Sequence, residues 1–284
     1  MENTKVLEHS TYGEPSHKVA FILHGFKGFK DWGFIPYIAN YIATHSDIQV
    51  VTFNFSHNGV KPGEQEISDL EKFEQNTYTK EIQDLTQMIG AAQSGYFGKK
   101  AQEIYLIGHS RGGGIALLTA SKLKESQVKK VVTYATIAQI DKFSPSDMEI
   151  WKNQGYLEVI NGRNGQVLRV GKALYQEIVQ YKDTALNIRQ AAQSLHIPIL
   201  LFHGIEDETV SYTQSQDIYT IRDNNQLPTV LVLIEGTNHT FGITHPLKQP
   251  SEAVSILAQQ TVEFLTQEFK QNNAIYSIKP ILNS

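Results

Sequence analysis

Cysteine is absent from this chain of 284 residues. Disulfides, thiolate zinc sites and cysteine nucleophiles are therefore excluded. The absence of cysteine does not fix the cellular compartment, and the cytoplasm is the default expectation. An excess of basic residues is also missing, because 25 Lys and Arg are scattered among 29 Asp and Glu for a net charge of −4. This charge pattern predicts no nucleic-acid partner.

Long apolar runs are missing as well. No run approaches the roughly 18 residues that a membrane-spanning helix requires, so we expect no membrane partner. The polar segment from Met1 to Ser10 predicts no signal peptide. Hydrophobic residues make up 40% of the chain and charged residues 19%. This balance is typical of a globular protein with a sizeable core, and we predict a single domain over residues 1–284.

Short apolar runs recur along the chain and alternate with amphipathic stretches of helical length, such as Thr77 to Ser94. Continuous β-branched runs suit strands that are buried on both faces, which is typical of a parallel sheet. The pattern therefore predicts an α/β fold: a doubly wound, mostly parallel sheet with functional side chains at the carboxyl ends of its strands. The runs are Val19–Leu23, Val50–Phe55, Ile104–Ile107, Val131–Tyr134, Ile197–Phe202 and Val230–Ile234.

One connection is much longer than a crossover needs. About 60 residues separate the run that ends at Tyr134 from the run that starts at Ile197. The Asn-Gly-Arg-Asn-Gly turn at 161–165, with β-rich stretches on both sides, predicts a hairpin. Because an insert at the carboxyl end of a strand lies over the functional edge, we predict a lid or insert over 137–190 within the single domain. A purely structural insertion is the alternative.

The run Ile104–Ile107 leads directly into a G-x-S-x-G pattern at Gly108 to Gly112, and a helical stretch follows. In this strand-to-helix context the pattern places a serine on a sharp, strained turn, and a Cβ at the flanking positions would clash with backbone. The first amide of the helix can then donate to an oxyanion. The pattern predicts Ser110 as a nucleophile. The alternative is a glycine-rich turn whose serine only caps the helix.

A serine nucleophile needs a histidine base that is oriented by a carboxylate. In the chain order that accompanies this motif, the acid follows the serine and the histidine comes last. Asp207 follows the fifth apolar run and His239 follows the sixth, so both are predicted at the same sheet edge as Ser110. The alternatives are His245 as the base and Glu206 or Glu208 as the acid.

Other residues near the strand ends are candidates for binding. The backbone amide of Phe26, after the first run, is the expected second oxyanion donor beside that of Arg111. Candidate substrate contacts are Lys27, Trp151 and Phe241, and Lys27 with Arg111 could receive a substrate carboxylate. Histidines 24, 57, 109 and 203 are the candidate zinc ligands, but three of them lie in His-Gly turns or in the serine motif. We therefore predict no metal, and no cofactor because a G-x-G-x-x-G pattern is missing after the first run.

Three motifs together resemble the α/β-hydrolase superfamily: H-G-F-x-G at 24–28, G-H-S-x-G-G at 108–113 and H-G-x-x-D-x-x-V at 203–210. The closer resemblance is to bacterial cinnamoyl or feruloyl esterases and to the related dienelactone-hydrolase-like and acyl-peptidase-like proteins. It covers nearly the whole chain, and the segment 137–190 is similar in place and size to the insert of that family. The resemblance implies the triad Ser110, Asp207 and His239, with the amides of Phe26 and Arg111 as oxyanion donors.

The expected function is hydrolysis of small-molecule carboxylic esters with small or aromatic acyl groups, through an acyl-enzyme. Because one fold hosts several chemistries, an acyl-peptidase or aminopeptidase and a thioesterase are alternatives. A non-catalytic binding protein on the same fold is a more remote alternative, since such proteins usually lose a member of the triad. The sequence does not indicate the oligomeric state.

Overall fold

The structure is a computed structural model that describes residues 6–123, 127–269 and 273–280. The first five residues of the polar N-terminal segment, and both ends of the predicted single domain, lie outside the described residues. Within the described ranges, no helix is both long and apolar enough to cross a bilayer.

The strands of the described residues form one large sheet and one small hairpin. They are β1 (His9–Tyr12), β2 (Lys18–Leu23), β3 (Gln49–Phe53), β4 (Glu103–His109), β5 (Val128–Tyr134), β6 (Tyr156–Ile160), β7 (Val167–Gly171), β8 (Ile199–Gly204), β9 (Thr229–Ile234) and β10 (Ala274–Ile278). The large sheet has the order β1-β3-β2-β4-β5-β8-β9-β10. All its neighbours pair in parallel except β1, which is antiparallel to β3. The predicted doubly wound, mostly parallel sheet is therefore confirmed.

The helices of the described residues lie between these strands. They are α1 (Ile35–His45), α2 (Leu70–Glu74), α3 (Tyr78–Ser94), α4 (Arg111–Lys122), α5 (Pro145–Gln154), α6 (Lys172–Tyr181), α7 (Ile188–Ser194), α8 (Thr213–Asn224) and α9 (Glu252–Thr266). Two apolar clusters, one on each face of the sheet, form the core. Along β2, Phe21 packs in one cluster while Ala20 and Ile22 pack in the other, because successive side chains of a strand point to opposite faces. Burial on both faces explains why this strand reads as an unbroken apolar run.

The edge strands were not predicted from the sequence. Among the described strands, β1 pairs with β3 alone and β10 pairs with β9 alone. β10 exposes nearly half of Ile275 and Tyr276, so it lacks the continuous buried run that marks the central strands.

The segment 137–190 leaves the carboxyl end of β5 and returns to the sheet at β8. It contains α5, the antiparallel hairpin β6–β7 and α6, and α7 begins at its end. The helix α5 starts with a capping box in which Ser144 and Asp147 satisfy each other's backbone amides. The hairpin turn is anchored to the loop after β2, because Lys27 Nζ donates to Ile160 O at 2.8 Å and Arg163 Nη2 donates to Lys27 O at 2.8 Å. The hairpin of this segment is therefore tied to the loop at the carboxyl end of β2.

Candidate active site

Ser110 lies between the end of β4 and the start of α4. Its backbone has φ 55° and ψ −120°, a conformation that non-glycine residues rarely adopt. A Cβ on Gly108 would lie 2.3 Å from Gly112 O, and a Cβ on Gly112 would lie 2.6 Å from Leu23 O. Only glycine therefore fits on either side of this turn. Such strain persists where surrounding structure holds it, and it concentrates at functional sites.

Asp207 follows β8 and has a fully buried side chain. Its Oδ2 accepts a hydrogen bond from His239 Nδ1 at 2.7 Å, and its Oδ1 accepts from the backbone amides of Thr209 and Val210 at 2.9 and 2.8 Å. Burial alone would raise the pKa of Asp207, but hydrogen bonds from His203, His239 and the Val210 amide outweigh it and hold the pKa well below its usual range. The carboxylate is therefore ionised and fixed in orientation.

His203, at the end of β8, is a second histidine on the same carboxylate. Its Nε2 lies 3.1 Å from Asp207 Oδ2 and 2.9 Å from Val210 O, and its Nδ1 lies 2.7 Å from Ser215 Oγ. Because both partners of Nε2 are acceptors, that nitrogen carries the proton, and Nδ1 accepts from the Ser215 hydroxyl. His203 was placed from the sequence in the H-G-x-x-D-x-x-V motif and among the possible metal ligands, but its contact with Asp207 was not predicted. Its place in H-G-x-x-D, four residues before Asp207, is the signal that links the two.

His239 lies in the loop after β9. Because its Nδ1 donates to Asp207, its Nε2 is free to act as a base. The carbonyl of His239 accepts from His109 Nε2 at 2.9 Å, and the His109 ring stacks parallel to Trp32 at 6.0 Å. Burial, with the nearby His239, lowers the pKa of His109 to about 3, so His109 is a neutral donor. His109, the variable residue of G-x-S, thus holds the backbone of His239 in place, a contact that the motif alone does not indicate.

Ser110 and His239 line one cavity of about 350 Å³ at the carboxyl edge of the sheet. Within the described part of the chain, no hydrogen bond joins Ser110 Oγ to another residue. Catalytic hydrogen bonds of this kind commonly tighten only in the substrate complex. The arrangement places a hydroxyl, an oriented imidazole and a buried carboxylate at one opening, which is the constellation that acyl transfer requires.

The loop after β2 passes directly beside Ser110. A Cβ on Gly25 would lie 3.0 Å from Ser110 Cβ, and a tight turn from Gly25 O to Gly28 N, 2.9 Å long, holds the backbone around Phe26. Arg111 is the first residue of α4, so its amide has no carbonyl partner within the helix. The two predicted oxyanion donors, Phe26 and Arg111, therefore flank Ser110 from two elements.

The candidate substrate contacts divide into two groups. Lys27 lines the cavity, as do Phe26 and Arg111. Trp151 is fully buried inside the insert, with its ring 4.9 Å from that of Phe143 and its Nε1 donating to Gly171 O at 3.1 Å. Phe241 is also fully buried in the core. Neither Trp151 nor Phe241 lines the cavity, because each ring is enclosed by protein on all sides.

The alternative acids and base occupy other positions. Glu206 accepts from the Thr237 amide at 2.9 Å, and Glu208 is exposed. His245 Nδ1 accepts from the Gly33 amide at 3.1 Å, and its Nε2 lies 3.2 Å from Gln65 Oε1. Asp207 and His239 are thus the carboxylate and the histidine that are hydrogen-bonded to each other beside the cavity that Ser110 lines.

The histidines considered as zinc ligands are engaged elsewhere. His24 Nδ1 donates to Gly25 O at 2.9 Å, and burial lowers the His24 pKa to about 4. His57 Nδ1 lies 2.7 Å from Ser56 Oγ. Over the ranges that the structure describes, no group of three or more His, Cys, Asp or Glu side chains is arranged to hold a metal ion.

The sheet order, the strained serine turn and the acid and histidine at strand ends define an α/β-hydrolase. The chain belongs to the BD-FAE family, whose model matches residues 69–221, more than half of the chain, including Ser110 and Asp207. No curated protein matches the chain.

Solved structures resemble this chain over nearly its whole length. Est1E from Butyrivibrio proteoclasticus, with ferulic acid bound, has a TM-score of 0.67 at 16% identity, over 91% of this chain and 93% of that chain. A structure reported for LipS and LipT, two metagenome-derived lipolytic enzymes, has a TM-score of 0.68 at 14% identity, over 93% and 100%. The monoacylglycerol lipase of Paleococcus ferrophilus has a TM-score of 0.65 at 16% identity, over 91% and 98%. These likenesses confirm the predicted α/β-hydrolase fold.

Replacing Trp151 by alanine tests whether this side chain packs the insert or selects substrate. Because Trp151 is fully buried and packs against Phe143 and Tyr175, we expect the free energy of unfolding to fall by about 3–5 kcal/mol. The neighbouring Ile150→Ala is the control: Ile150 is 47% exposed, so we expect a change within about 0.5 kcal/mol. Urea denaturation measures both. A stable Trp151→Ala variant that loses activity only toward a bulky aromatic ester, and not toward an acetyl ester, would contradict the packing role.

Proposed function

We propose that the protein hydrolyses small-molecule carboxylic esters through an acyl–Ser110 intermediate. The observation that carries this proposal is the hydrogen bond between Asp207 Oδ2 and His239 Nδ1 at the edge of the cavity that Ser110 also lines. A buried carboxylate that fixes the imidazole in this tautomer leaves Nε2 to accept a proton at the cavity.

The reaction proceeds in two halves. Ser110 Oγ attacks the ester carbonyl carbon while His239 Nε2 takes the hydroxyl proton, and the amides of Phe26 and Arg111 donate to the tetrahedral oxyanion. The intermediate collapses, the carbon–oxygen bond to the alcohol breaks, and His239 returns the proton to the leaving alcohol. Water then attacks the acyl-enzyme by the same route and releases the acid. Asp207 stabilises the imidazolium in both halves.

The acyl groups that we propose are small or aromatic. The cavity volume of about 350 Å³ lies at the lower end of the range for small-molecule sites. Its apolar lining includes Phe26, Ile137, Phe143 and Leu174, the last three from the segment 137–190. We therefore propose that this segment caps the cavity and supplies one wall of it. Est1E, which resembles this chain in fold, binds ferulic acid, an aromatic acid, and this supports the proposed substrate class.

A serine-directed fluorophosphonate tests the proposal. We expect it to label Ser110 in peptide mass spectrometry and to abolish hydrolysis of p-nitrophenyl esters in proportion to labelling. Ser110→Ala, which lacks only the hydroxyl, should not be labelled. Labelling at a different serine would overturn the assignment. Faster turnover of aminoacyl anilides or acyl-CoA thioesters than of esters would replace the esterase with one of the alternatives on the same fold.

A further inference from the structure

Four basic side chains line the catalytic cavity: Lys27, Arg111, Lys142 and Arg163. No carboxylate of the described residues lines it. The carboxylates behind its walls are engaged, since Glu81 pairs with Arg111 and Asp207 holds His239. The cavity therefore has more positive charge than its own walls balance.

Arg111 presents a guanidinium whose donors are only partly used. Its Nε pairs with Glu81 Oε2 at 2.9 Å, and its Cζ lies 3.8 Å from the centre of the Tyr78 ring. Its side chain is 7% exposed, yet Nη2 has no hydrogen-bond partner. A buried donor without a partner costs free energy that an incoming acceptor would recover. The ion pair with Glu81 and the contact with the Tyr78 ring fix the position of the guanidinium, and Nη2 remains available to an incoming acceptor.

Asn161 adds a second unpartnered donor from the insert. It is 2% exposed in the hairpin turn and lines the cavity. Its Oδ1 accepts from the Arg163 amide at 3.3 Å, while its Nδ2 has no hydrogen-bond partner. The turn cannot swing away freely, because Arg163 and Lys27 tie it to the loop after β2. Amide and guanidinium donors thus come to one cavity from two separate parts of the chain.

The two lysines of the cavity form no direct ion pair with a carboxylate in the part of the chain that the structure describes, since none of the ion pairs there includes Lys142 or Lys27. Burial lowers the pKa of Lys142, and the charge of Arg111 lowers it further, against a smaller opposing effect of the Asp207 carboxylate. Burial likewise lowers the pKa of Lys27, with further repulsion from Lys142 and Arg163. Repulsion among the cations is relieved when an anion binds between them.

We propose that the cavity selects esters whose acyl chain ends in a carboxylate, that is, half-esters of short dicarboxylic acids, and that Arg111, Asn161 and Lys142 receive that carboxylate. The position of the ester rests on the proposed function, whereas binding of the anion does not. Arg111 carries both an oxyanion amide and the guanidinium, so the two ends of the acyl group lie within one side-chain length. The methylenes between them contact the apolar walls at Ile137 and Phe143.

The kinetic test compares p-nitrophenyl hydrogen glutarate with p-nitrophenyl butyrate, which lacks the terminal carboxylate. For the wild type we expect kcat/KM to be about 10- to 100-fold higher for the acidic ester. Lys142→Gln should lose most of this preference while it still cleaves the butyrate. Arg169→Gln is the matched control, because Arg169 is an exposed cation of β7 outside the cavity lining, and it should keep the preference. Equal kcat/KM for the two esters in the wild type would overturn the inference.

Arg111 needs a paired substitution, since its removal alone leaves Glu81 buried without its partner. The double variant Glu81→Gln, Arg111→Met removes both charges and should also lose the preference for the acidic ester. If the double variant does not fold, the loss or retention of the preference for the acidic ester in Lys142→Gln decides whether the carboxylate site exists. A preference that survives in a folded double variant and in Lys142→Gln would overturn the assignment of these residues.

Calorimetry separates the failure of this inference from the failure of the proposed function. We expect glutarate to bind the wild type more tightly than butyrate does, and Lys142→Gln to lose the difference, whether or not Ser110 is labelled by the fluorophosphonate. If butyrate and glutarate bind with equal affinity while Ser110 is labelled, the proposed esterase activity is supported and the proposed carboxylate site is rejected. Butyl phosphate that binds more tightly than glutarate would overturn the choice of carboxylate.

Discussion

Ser110→Ala is expected to lower kcat for p-nitrophenyl esters by about 10⁴- to 10⁶-fold, because without the hydroxyl no acyl-enzyme forms. The effect is specific to chemistry, since Gly108 and Gly112 make room for the backbone turn and alanine brings the same Cβ into it as serine does. The Ser110 hydroxyl has no hydrogen-bond partner among the described residues, so its removal leaves no buried group unpaired. We therefore expect the free energy of unfolding to change by no more than about 0.5 kcal/mol.

Stopped-assay kinetics and urea denaturation on the same preparation measure both quantities. Ser121→Ala is the matched control. Ser121 lies near the far end of α4, the helix that Ser110 precedes, and its hydroxyl donates to Leu118 O at 2.9 Å. It should keep wild-type turnover. A Ser110→Ala protein that retains wild-type activity would remove Ser110 from the role of nucleophile, whatever the labelling experiment shows.

The central sheet was predictable because strands that are buried on both faces appear in the sequence as continuous apolar runs. β2, β8 and β9 each contain an unbroken apolar run, and all three lie in the interior of the sheet with a neighbour on each side. β1 and β10 contain no continuous apolar run. Each pairs with a single neighbour, so polar residues are tolerated on the exposed side and the apolar pattern is interrupted.

The candidate triad was predictable for a different reason. A strained serine turn demands glycine at fixed positions, and strand ends of a parallel sheet meet at one edge, so motif and topology together point to Ser110, Asp207 and His239. The partners that hold the triad were not predictable. His109 reaches the carbonyl of His239, which is 130 residues away in the chain, and no local pattern records that contact.

The basic lining of the cavity was predictable only in part. Lys27 and Arg111 follow motifs that the strand ends bring together, so a carboxylate partner for them was open to inference from the sequence. Lys142, Asn161 and Arg163 belong to the insert, and the turn at 161–165 indicated a hairpin but not where its tip lies. That position depends on the contacts of Lys27 with Ile160 O and of Arg163 with Lys27 O, which form only in the folded protein.

Asp207→Asn is expected to lower kcat by about 10⁴-fold with the fold retained. The Thr209 and Val210 amides donate to Oδ1, so the asparagine oxygen stays there and its NH₂ group takes the place of Oδ2. That NH₂ faces His239 Nδ1, which must then accept, and the proton moves to Nε2. An imidazole in this tautomer cannot take the proton of Ser110. The same NH₂ opposes the Nε2–H of His203, which we expect to lower the free energy of unfolding by about 1–3 kcal/mol.

Glu206→Gln is the matched control for this substitution, because it also neutralises a carboxylate in the same loop. Among the described residues, the Glu206 carboxylate accepts a hydrogen bond from the Thr237 amide alone, and a glutamine oxygen accepts that hydrogen bond equally well. We therefore expect Glu206→Gln to keep wild-type kcat, while Asp207→Asn loses it with little change in KM. Steady-state kinetics of the two variants decide between the acids. Loss of kcat in Glu206→Gln together with wild-type kcat in Asp207→Asn would show that Glu206, and not Asp207, is the acid that orients His239.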